Sequence, residues 1–191
     1  MKKIFFVFIG ILLFTSCRKE DKGLTKEQTA SYISKGKEIG QQTVKLLGSN
    51  LMKHMKNGGT KEAIPFCNTN ASNLTNEIAN KYNVSIKRTS HKLRSDKNAP
   101  NNDEKAVIEA YLAQIKKGEA LKPQVKKEND GKVHFYAPMK LKAKCLACHG
   151  TIGREVSKAT DSLIKSLYPN DKAIGFKDGE FRGVLDITFN N

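Results

Sequence analysis

Residues 124–141 read QVKKENDGKVHFYAPMKL, and this stretch decides the fold class. Two strand-like runs flank Asn129-Asp130-Gly131, and Asp-Gly favours the tight turn that the twist of antiparallel strands requires. The stretch therefore predicts a β-hairpin. A second hairpin is predicted over residues 173–189 around Asp178-Gly179, with apolar strand positions at Val184, Ile187 and Phe189.

The chain upstream of the hairpin is predicted to be mainly helical. Thr25 and Gln28 have capping-box spacing, and apolar residues follow at helical steps as far as Gly58-Gly59. Thr60 can cap a second helix that ends near Tyr82, before a short strand over 84–89. Further helices are predicted over 103–117 and 155–167. Helices first and antiparallel hairpins later indicate an α+β domain.

Composition supports one basic globular domain. The 191 residues include 34 Lys+Arg and 19 Asp+Glu, which gives a net charge of 34 − 19 = +15. The 38% of hydrophobic residues are mixed with the charges, which excludes a disordered chain. Four cysteines are too few for a disulfide scaffold, and a single strongly apolar stretch excludes a polytopic membrane protein.

The N-terminus predicts export. Lys2 and Lys3 precede an apolar run over 4–14, which is too short for a transmembrane helix and suits a signal peptide. Residues 13–17 (LFTSC) resemble a bacterial lipobox, so we expect a signal peptide over 1–16, a lipidated Cys17 with a tether over 17–24, and a domain over 25–191. A plain signal peptide cleaved nearby is the alternative. Without Lys2 and Lys3 the mature charge is 32 − 19 = +13.

Cys145-Leu146-Ala147-Cys148-His149 has the C-x-x-C-H spacing of c-type haem attachment. Each thiol adds across one haem vinyl group, and the adjacent imidazole then lies beneath the iron. A thioredoxin-like pair gives no reason for His149, a zinc site needs more ligands, and a disulfide over this spacing is strained. The export signal further favours one covalent haem c, because bacterial attachment takes place outside the cytoplasm.

The second iron ligand is left open by the residues alone. Cys67 lies on the inward face of the predicted helix over 60–82, although a lone buried cysteine is usually a small apolar residue. Methionine and histidine side chains are the other candidates for this position: Met52, Met55, Met139, His54, His91 and His134.

The chain resembles a family of bacterial c-type haem proteins with a PAS-like fold, known as a domain of unknown function. The resemblance spans roughly 30–190 and rests on five segments: AIPFC (63–67), RTSHKLR (88–94), NAP (98–100), YAP (136–138) and GVL (183–185), with the C-x-x-C-H motif between the last two. It implies a PAS-like antiparallel sheet with N-terminal helices packed against it. In a cyanobacterial member the haem is held by a histidine and a cysteine thiolate, which implies His149 as the proximal ligand and Cys67 as the distal ligand.

Two function classes follow. A lipid-anchored, low-potential electron carrier would exchange electrons with a redox partner protein or a membrane electron carrier, and the mature charge suits an acidic partner. The alternative is a haem-based redox or gas sensor that acts through a separate protein, and a catalyst is the less favoured expectation. Arg88, Arg94 and Tyr136 are candidates to bind the haem propionates. Scattered lysines without a recognition motif argue against nucleic acid.

Overall fold

The computed structural model describes residues 23–190, so the predicted signal peptide and Cys17 lie outside the described residues. Within these residues four helices and four strands follow one another: α1 (Lys26–Tyr82), β1 (Val84–Thr89), α2 (Asn102–Lys116), β2 (Gln124–Lys127), β3 (Val133–Lys140), α3 (Leu146–His149), α4 (Lys158–Leu167) and β4 (Phe181–Phe189). Short 3-10 turns cover Asp96–Asn98 and Ala143–Cys145. Within 23–190 no helix is long and apolar enough to cross a bilayer.

The sheet is antiparallel throughout, with the strand order β1-β4-β3-β2. The predicted hairpin joins β2 to β3, and its turn closes where Gly131, at φ 77°, donates its N–H to the Glu128 carbonyl at 2.9 Å. β4 lies in the middle of the sheet because it pairs with both β1 and β3. The α+β prediction is confirmed.

The second predicted hairpin is wrong. The described chain has no strand over 173–178, and β4 finds its partners in β1 and β3 instead. The N–H groups of Gly175 and Phe176 are already engaged, since they donate to the carbonyls of Gly150 and His149 at 2.8 and 2.9 Å. This segment therefore belongs to the surroundings of the C-x-x-C-H motif.

Helix α1 consists of two arms. The predicted capping box is present, since Thr25 Oγ1 accepts from Gln28 N and Gln28 Oε1 accepts from Thr25 N. The helix breaks at Gly58-Gly59, where Gly59 adopts φ 62° and ψ −150°, a conformation that is essentially restricted to glycine. We call residues 26–57 the N-terminal arm and residues 60–82 the C-terminal arm.

The N-terminal arm packs closely on one face of the sheet. A Cβ atom on Gly36 would overlap the Phe135 ring, and one on Gly40 would lie 3.3 Å from Leu185 Cδ2. Small residues are needed at these two positions because the helix backbone rests directly on the sheet. The core on this face is formed by eight buried residues: Ile39, Ile78, Val84, Val133, Phe135, Leu185, Ile187 and Phe189.

The opposite face of the sheet is covered by α2 and contains a buried polar network. His134 lies between two carboxylates, with Nδ1 at 2.9 Å from Asp186 Oδ1 and Nε2 at 3.2 Å from Asp130 Oδ2. Nearby, buried Glu104 accepts from Lys87 Nζ at 2.7 Å. Charges are tolerated inside this face because each has an opposite charge within hydrogen-bonding distance.

This network predicts a loss of stability at alkaline pH. Burial alone would lower the pKa of His134, but the hydrogen bonds and charges of Asp186 and Asp130 outweigh it and raise the pKa to about 9. The folded protein therefore holds a proton that the unfolded chain releases at about pH 6.5, so the contribution of His134 is complete below that pH and is lost as the pH rises to about 9. Urea denaturation at several pH values in this range measures how steeply the free energy of unfolding falls with pH. In His134→Gln the part of the slope due to this residue should disappear, and an unchanged slope would contradict the assignment.

Candidate functional site

The C-x-x-C-H motif forms a compact turn after β3. The 3-10 turn Ala143–Cys145 leads into α3, and the helix ends at the buried Gly150. A Cβ atom at Gly150 would lie 2.7 Å from the Leu146 carbonyl oxygen and from Glu155 Cβ, so the chain can reverse here only with glycine. Cys145 and Cys148 are free and partly buried, which leaves both thiols available for chemistry.

His149 is oriented by the chain that precedes β4. Its Nδ1–H donates to the Ala173 carbonyl oxygen at 2.7 Å, so the lone pair of the ring lies on Nε2. Burial lowers the pKa of His149 to about 3, with further contributions from Arg94 and Arg182. The imidazole is therefore neutral near pH 7. A neutral ring with its second nitrogen tied to a carbonyl is the usual state of a histidine that binds a metal.

The C-terminal arm of α1 places Cys67 near this motif. Burial raises the pKa of the Cys67 thiol, whereas Arg88 and Arg94 act in the opposite direction. The Cys148 thiol also has a raised pKa, first through burial, and a negative charge on Cys67 would raise it further. Residues 67 and 148 therefore share one electrostatic environment although they are far apart in the sequence.

Arg94 holds the motif to the segment before β4. Its Nη2 donates to the carbonyls of Cys148 and Ala173 at 2.6 and 3.1 Å, and its guanidinium contacts both carboxylate oxygens of Asp171 at 3.2 Å. Asp171 in turn accepts from the Ala173 N–H at 2.9 Å. Arg94, expected to bind a propionate, thus uses its Nε and Nη2 donors in contacts within the protein. These contacts hold Ala173, whose carbonyl orients His149.

Removal of the contact between Arg94 and Asp171 is expected to destabilise the protein. Arg94→Ala should lower the free energy of unfolding by about 3 kcal/mol, because it leaves the 5% exposed Asp171 side chain without its partner. The matched control is Arg154→Ala, which removes an arginine that is 77% exposed in its pair with Glu155 and should cost less than about 1 kcal/mol. Urea midpoints of the two variants provide the comparison. Equal midpoints would contradict the role of Arg94.

The surroundings of the motif carry excess positive charge. Arg88, the second propionate candidate, forms no hydrogen bond or ion pair with any described residue, and burial lowers its pKa. Arg182 stacks over the Phe176 ring at 5.4 Å, and burial together with Arg94 and Arg88 lowers its pKa to about 10. Among the described carboxylates, Asp171 alone forms an ion pair with these arginines. The arrangement favours an anionic ligand.

A cavity of about 620 Å³ lies between the N-terminal arm and the sheet. This volume is typical of small-molecule sites. Its lining includes Met139, Leu141, Leu185 and Arg182. None of residues 142–150 lines the cavity, but Leu141 also packs against Cys145 and Arg182 influences the pKa of His149, so two of its lining residues border the C-x-x-C-H motif.

Tyr136, the third propionate candidate, is not part of this group. It is fully buried on the α2 face of the sheet, where it packs with Tyr111, Phe181 and Val184. Its strand alternates in side-chain direction, so Ala137 points towards α1 while Tyr136 points away. The structure thus encloses the Tyr136 hydroxyl on the α2 face of the sheet, and a contact with a propionate stays a prediction.

The other candidate iron ligands differ in their surroundings. His134 lies in the α2-face network, and His54 binds Glu62 at 2.8 Å while stacking on Phe66 at 3.8 Å. His91 stacks parallel to Phe181 at 5.9 Å. Met52 is 44% exposed, Met55 is partly buried, and Met139 lines the cavity.

Sequence reasoning missed several residues that shape the site. These are the residues that orient the motif and supply its positive charge: Lys92, Asp171, Ala173, Phe176 and Arg182. Ala173 acts through its backbone carbonyl, which leaves no signal in the side chain. The polar side chains of Ser90, Lys92 and Arg94 alternate along the sequence, and this pattern could have indicated that they share one face. In the structure all three contact the segment 171–182.

Comparison with known proteins identifies the family. No curated protein matches the chain significantly. A solved structure, described as the cyanobacterial heme-protein Tll0287, matches with a TM-score of 0.57 and 20% identity, over 88% of this chain and 98% of that chain, which shows a shared fold. The family model described as Tll0287-like matches residues 20–190. The chain therefore belongs to the Tll0287-like family.

Proposed function

We propose that this chain binds one haem c, which would be attached through thioether bonds to Cys145 and Cys148, with His149 and Cys67 as the two protein ligands to the iron. The observation that carries the proposal is the hydrogen bond from His149 Nδ1 to the Ala173 carbonyl at 2.7 Å, which leaves Nε2 as a neutral ligand directly after two free thiols. The haem protein that shares the fold adds support.

The residues present fit this cofactor. Haem carries two negatively charged propionates, and Arg88 and Arg182 lie near the motif without a carboxylate partner. Leu141, Ala173 and Phe176 form a buried apolar cluster against Cys145, which suits contact with a flat porphyrin face. A porphyrin would also supply apolar core area to a mature chain that has only five Phe and five Tyr.

The function that these residues support best is low-potential electron transfer. When bound, haem supplies a one-electron change at iron. Cys67 would act as a thiolate, because iron coordination offsets the effect of burial on its pKa, and its negative charge stabilises the ferric state. Arg94 keeps His149 in place, and Arg88 and Arg182 hold the propionates. The thiolate would lower the reduction potential, and the arginine contacts would keep the site rigid during the electron exchange.

The proposed location is the outside of the cytoplasmic membrane, with a lipid on Cys17. Support comes from the n-region lysines, the apolar run and the LFTSC sequence. We expect Cys17→Ser to move the protein from the membrane fraction to the soluble periplasmic or secreted fraction, while the amount of haem per chain is unchanged. If the variant stayed with the membranes, the lipid anchor would be excluded.

A redox or gas sensor is the second candidate. It is favoured by the glycine break at Gly58-Gly59, because the arm that carries Cys67 is joined to the rest of α1 through two residues whose backbone conformation no Cβ atom restricts. Movement of this arm would detach Cys67 from the iron on reduction and open a position for a diatomic gas. A separate partner protein would then detect the movement of the arm.

Covalent attachment tests the proposal. The mature domain, produced together with a bacterial cytochrome c maturation system, is extracted with acidified acetone and assayed as the pyridine haemochrome. We expect the haem to stay with the polypeptide in a one-to-one ratio. Haem that passes into the acetone would exclude a c-type protein, and a chain without haem would exclude the whole proposal.

A further inference from the structure

Lysines border the opening of the cavity between the N-terminal arm and the sheet. Lys37, Lys45 and Lys140 are exposed and line the cavity, and Lys142 and Lys144 are exposed on the segment that leads into Cys145. We call these five residues the lysine rim. We propose that the lysine rim is the docking surface for an acidic protein that carries one electron, an inference that rests on the proposed haem function.

The charge of the lysine rim is not compensated within the described chain. The residues that line the cavity include no Asp or Glu, and none of the five lysines forms an ion pair with a described carboxylate. Two lysines elsewhere in the described chain do form ion pairs, Lys87 with Glu104 and Lys165 with Asp161, each at 2.7 Å. Clustered like charges repel one another and create a field that an acidic surface would neutralise.

An apolar centre lies inside the lysine rim. Val44 is 58% exposed and lines the cavity together with Pro138 and Met139. Protein interfaces commonly combine an apolar centre with a polar border. A docked protein would remove Val44 from water and place its acidic residues opposite the lysines, whereas a small ion would satisfy the charges alone.

The position of the lysine rim suits electron transfer. Lys142 and Lys144 are three residues and one residue before Cys145, so a carrier bound there lies beside the proposed thioether edge of the haem. The haem would accept one electron from the reduced carrier, which would itself be oxidised by one electron. No bond has to form or break between the two proteins.

The test compares two triple variants with the same change in net charge. The rim variant is Lys37→Glu/Lys45→Glu/Lys140→Glu, and the control variant changes three exposed lysines on or beside α2: Lys105→Glu, Lys116→Glu and Lys117→Glu. Reduced flavodoxin, a small acidic redox protein, serves as the probe, and stopped-flow absorbance follows reduction of the haem. We expect the rim variant to react about tenfold more slowly at low salt and to lose its salt dependence, while the control variant stays within about twofold of the parent.

Each other outcome overturns the inference in a different way. Equal slowing of both variants would mean that only net charge matters. Unchanged rates with an intact covalent haem band would exclude the lysine rim and leave the proposed function in place. Loss of binding to phosphatidylglycerol vesicles in the rim variant, at an unchanged flavodoxin rate, would assign the surface to anionic lipid. A parent chain without a covalent haem band would refute the proposed function and the docking surface together.

Discussion

Cys148→Ser is expected to remove most of the covalently bound haem from the mature protein. A serine hydroxyl does not replace the thiolate that adds to the haem vinyl group, and the remaining Cys145 can hold the porphyrin through one edge only. The amount of haem per chain, measured by haem staining of a denaturing gel against an immunoblot, gives the result directly.

The matched control for this variant is Cys67→Ala, which removes another partly buried free thiol of the same site. Cys67 has no part in covalent attachment, so its variant should keep the haem of the parent. Equal haem content in Cys148→Ser and the parent would contradict the assignment of residues 145–149 as the attachment motif.

Cys67→Ala is expected to change the reduction potential and the spin state of the iron without releasing the haem. Loss of the thiolate removes negative charge from the iron, so the reduction potential should rise by on the order of 100 mV, within the range of about 0.8 V over which axial ligands act. The ferric protein should also change its spin state, because one coordination position becomes vacant or takes up water. Potentiometric titration and the ferric absorption spectrum measure the two effects.

Met139→Ala is the control for this second variant, since Met139 supplies the sulfur-containing side chain that lines the cavity. It should leave the potential and the spin state close to those of the parent. A shift in Met139→Ala together with no shift in Cys67→Ala would assign the second ligand position to the methionine.

Local patterns predicted most of the elements. The capping box at Thr25, the Gly58-Gly59 break and the Asp130-Gly131 turn act over a few residues, so the sequence around them is sufficient. The hairpin over 173–189 was wrong because its N-terminal half bonds to residues 149 and 150. That contact is remote in the sequence and runs through backbone atoms, which carry no side-chain signal.

The same distinction between local patterns and contacts remote in the sequence applies to the predicted site residues. Cys145, Cys148 and His149 form a local motif that can be recognised from spacing alone. Cys67 was expected near this motif only because of the resemblance to the haem protein family, and the family match confirms that resemblance. The face on which Tyr136 lies could not be predicted, because it depends on the register of β3 within the sheet, where one residue separates the two faces. The role of Arg94 in clamping Asp171 also depends on tertiary structure and could not be predicted from spacing.

The most direct test of the account is the absorption spectrum of the mature domain in the ferric state, the ferrous state and the ferrous state with carbon monoxide. With His149 and Cys67 both bound, we expect a low-spin, six-coordinate ferric spectrum with thiolate character. A ferrous spectrum that carbon monoxide leaves unchanged would support the electron carrier, and one that carbon monoxide alters would support the sensor. A high-spin ferric spectrum without a second protein ligand, or a chain that shows no covalent haem, would contradict the proposed iron centre.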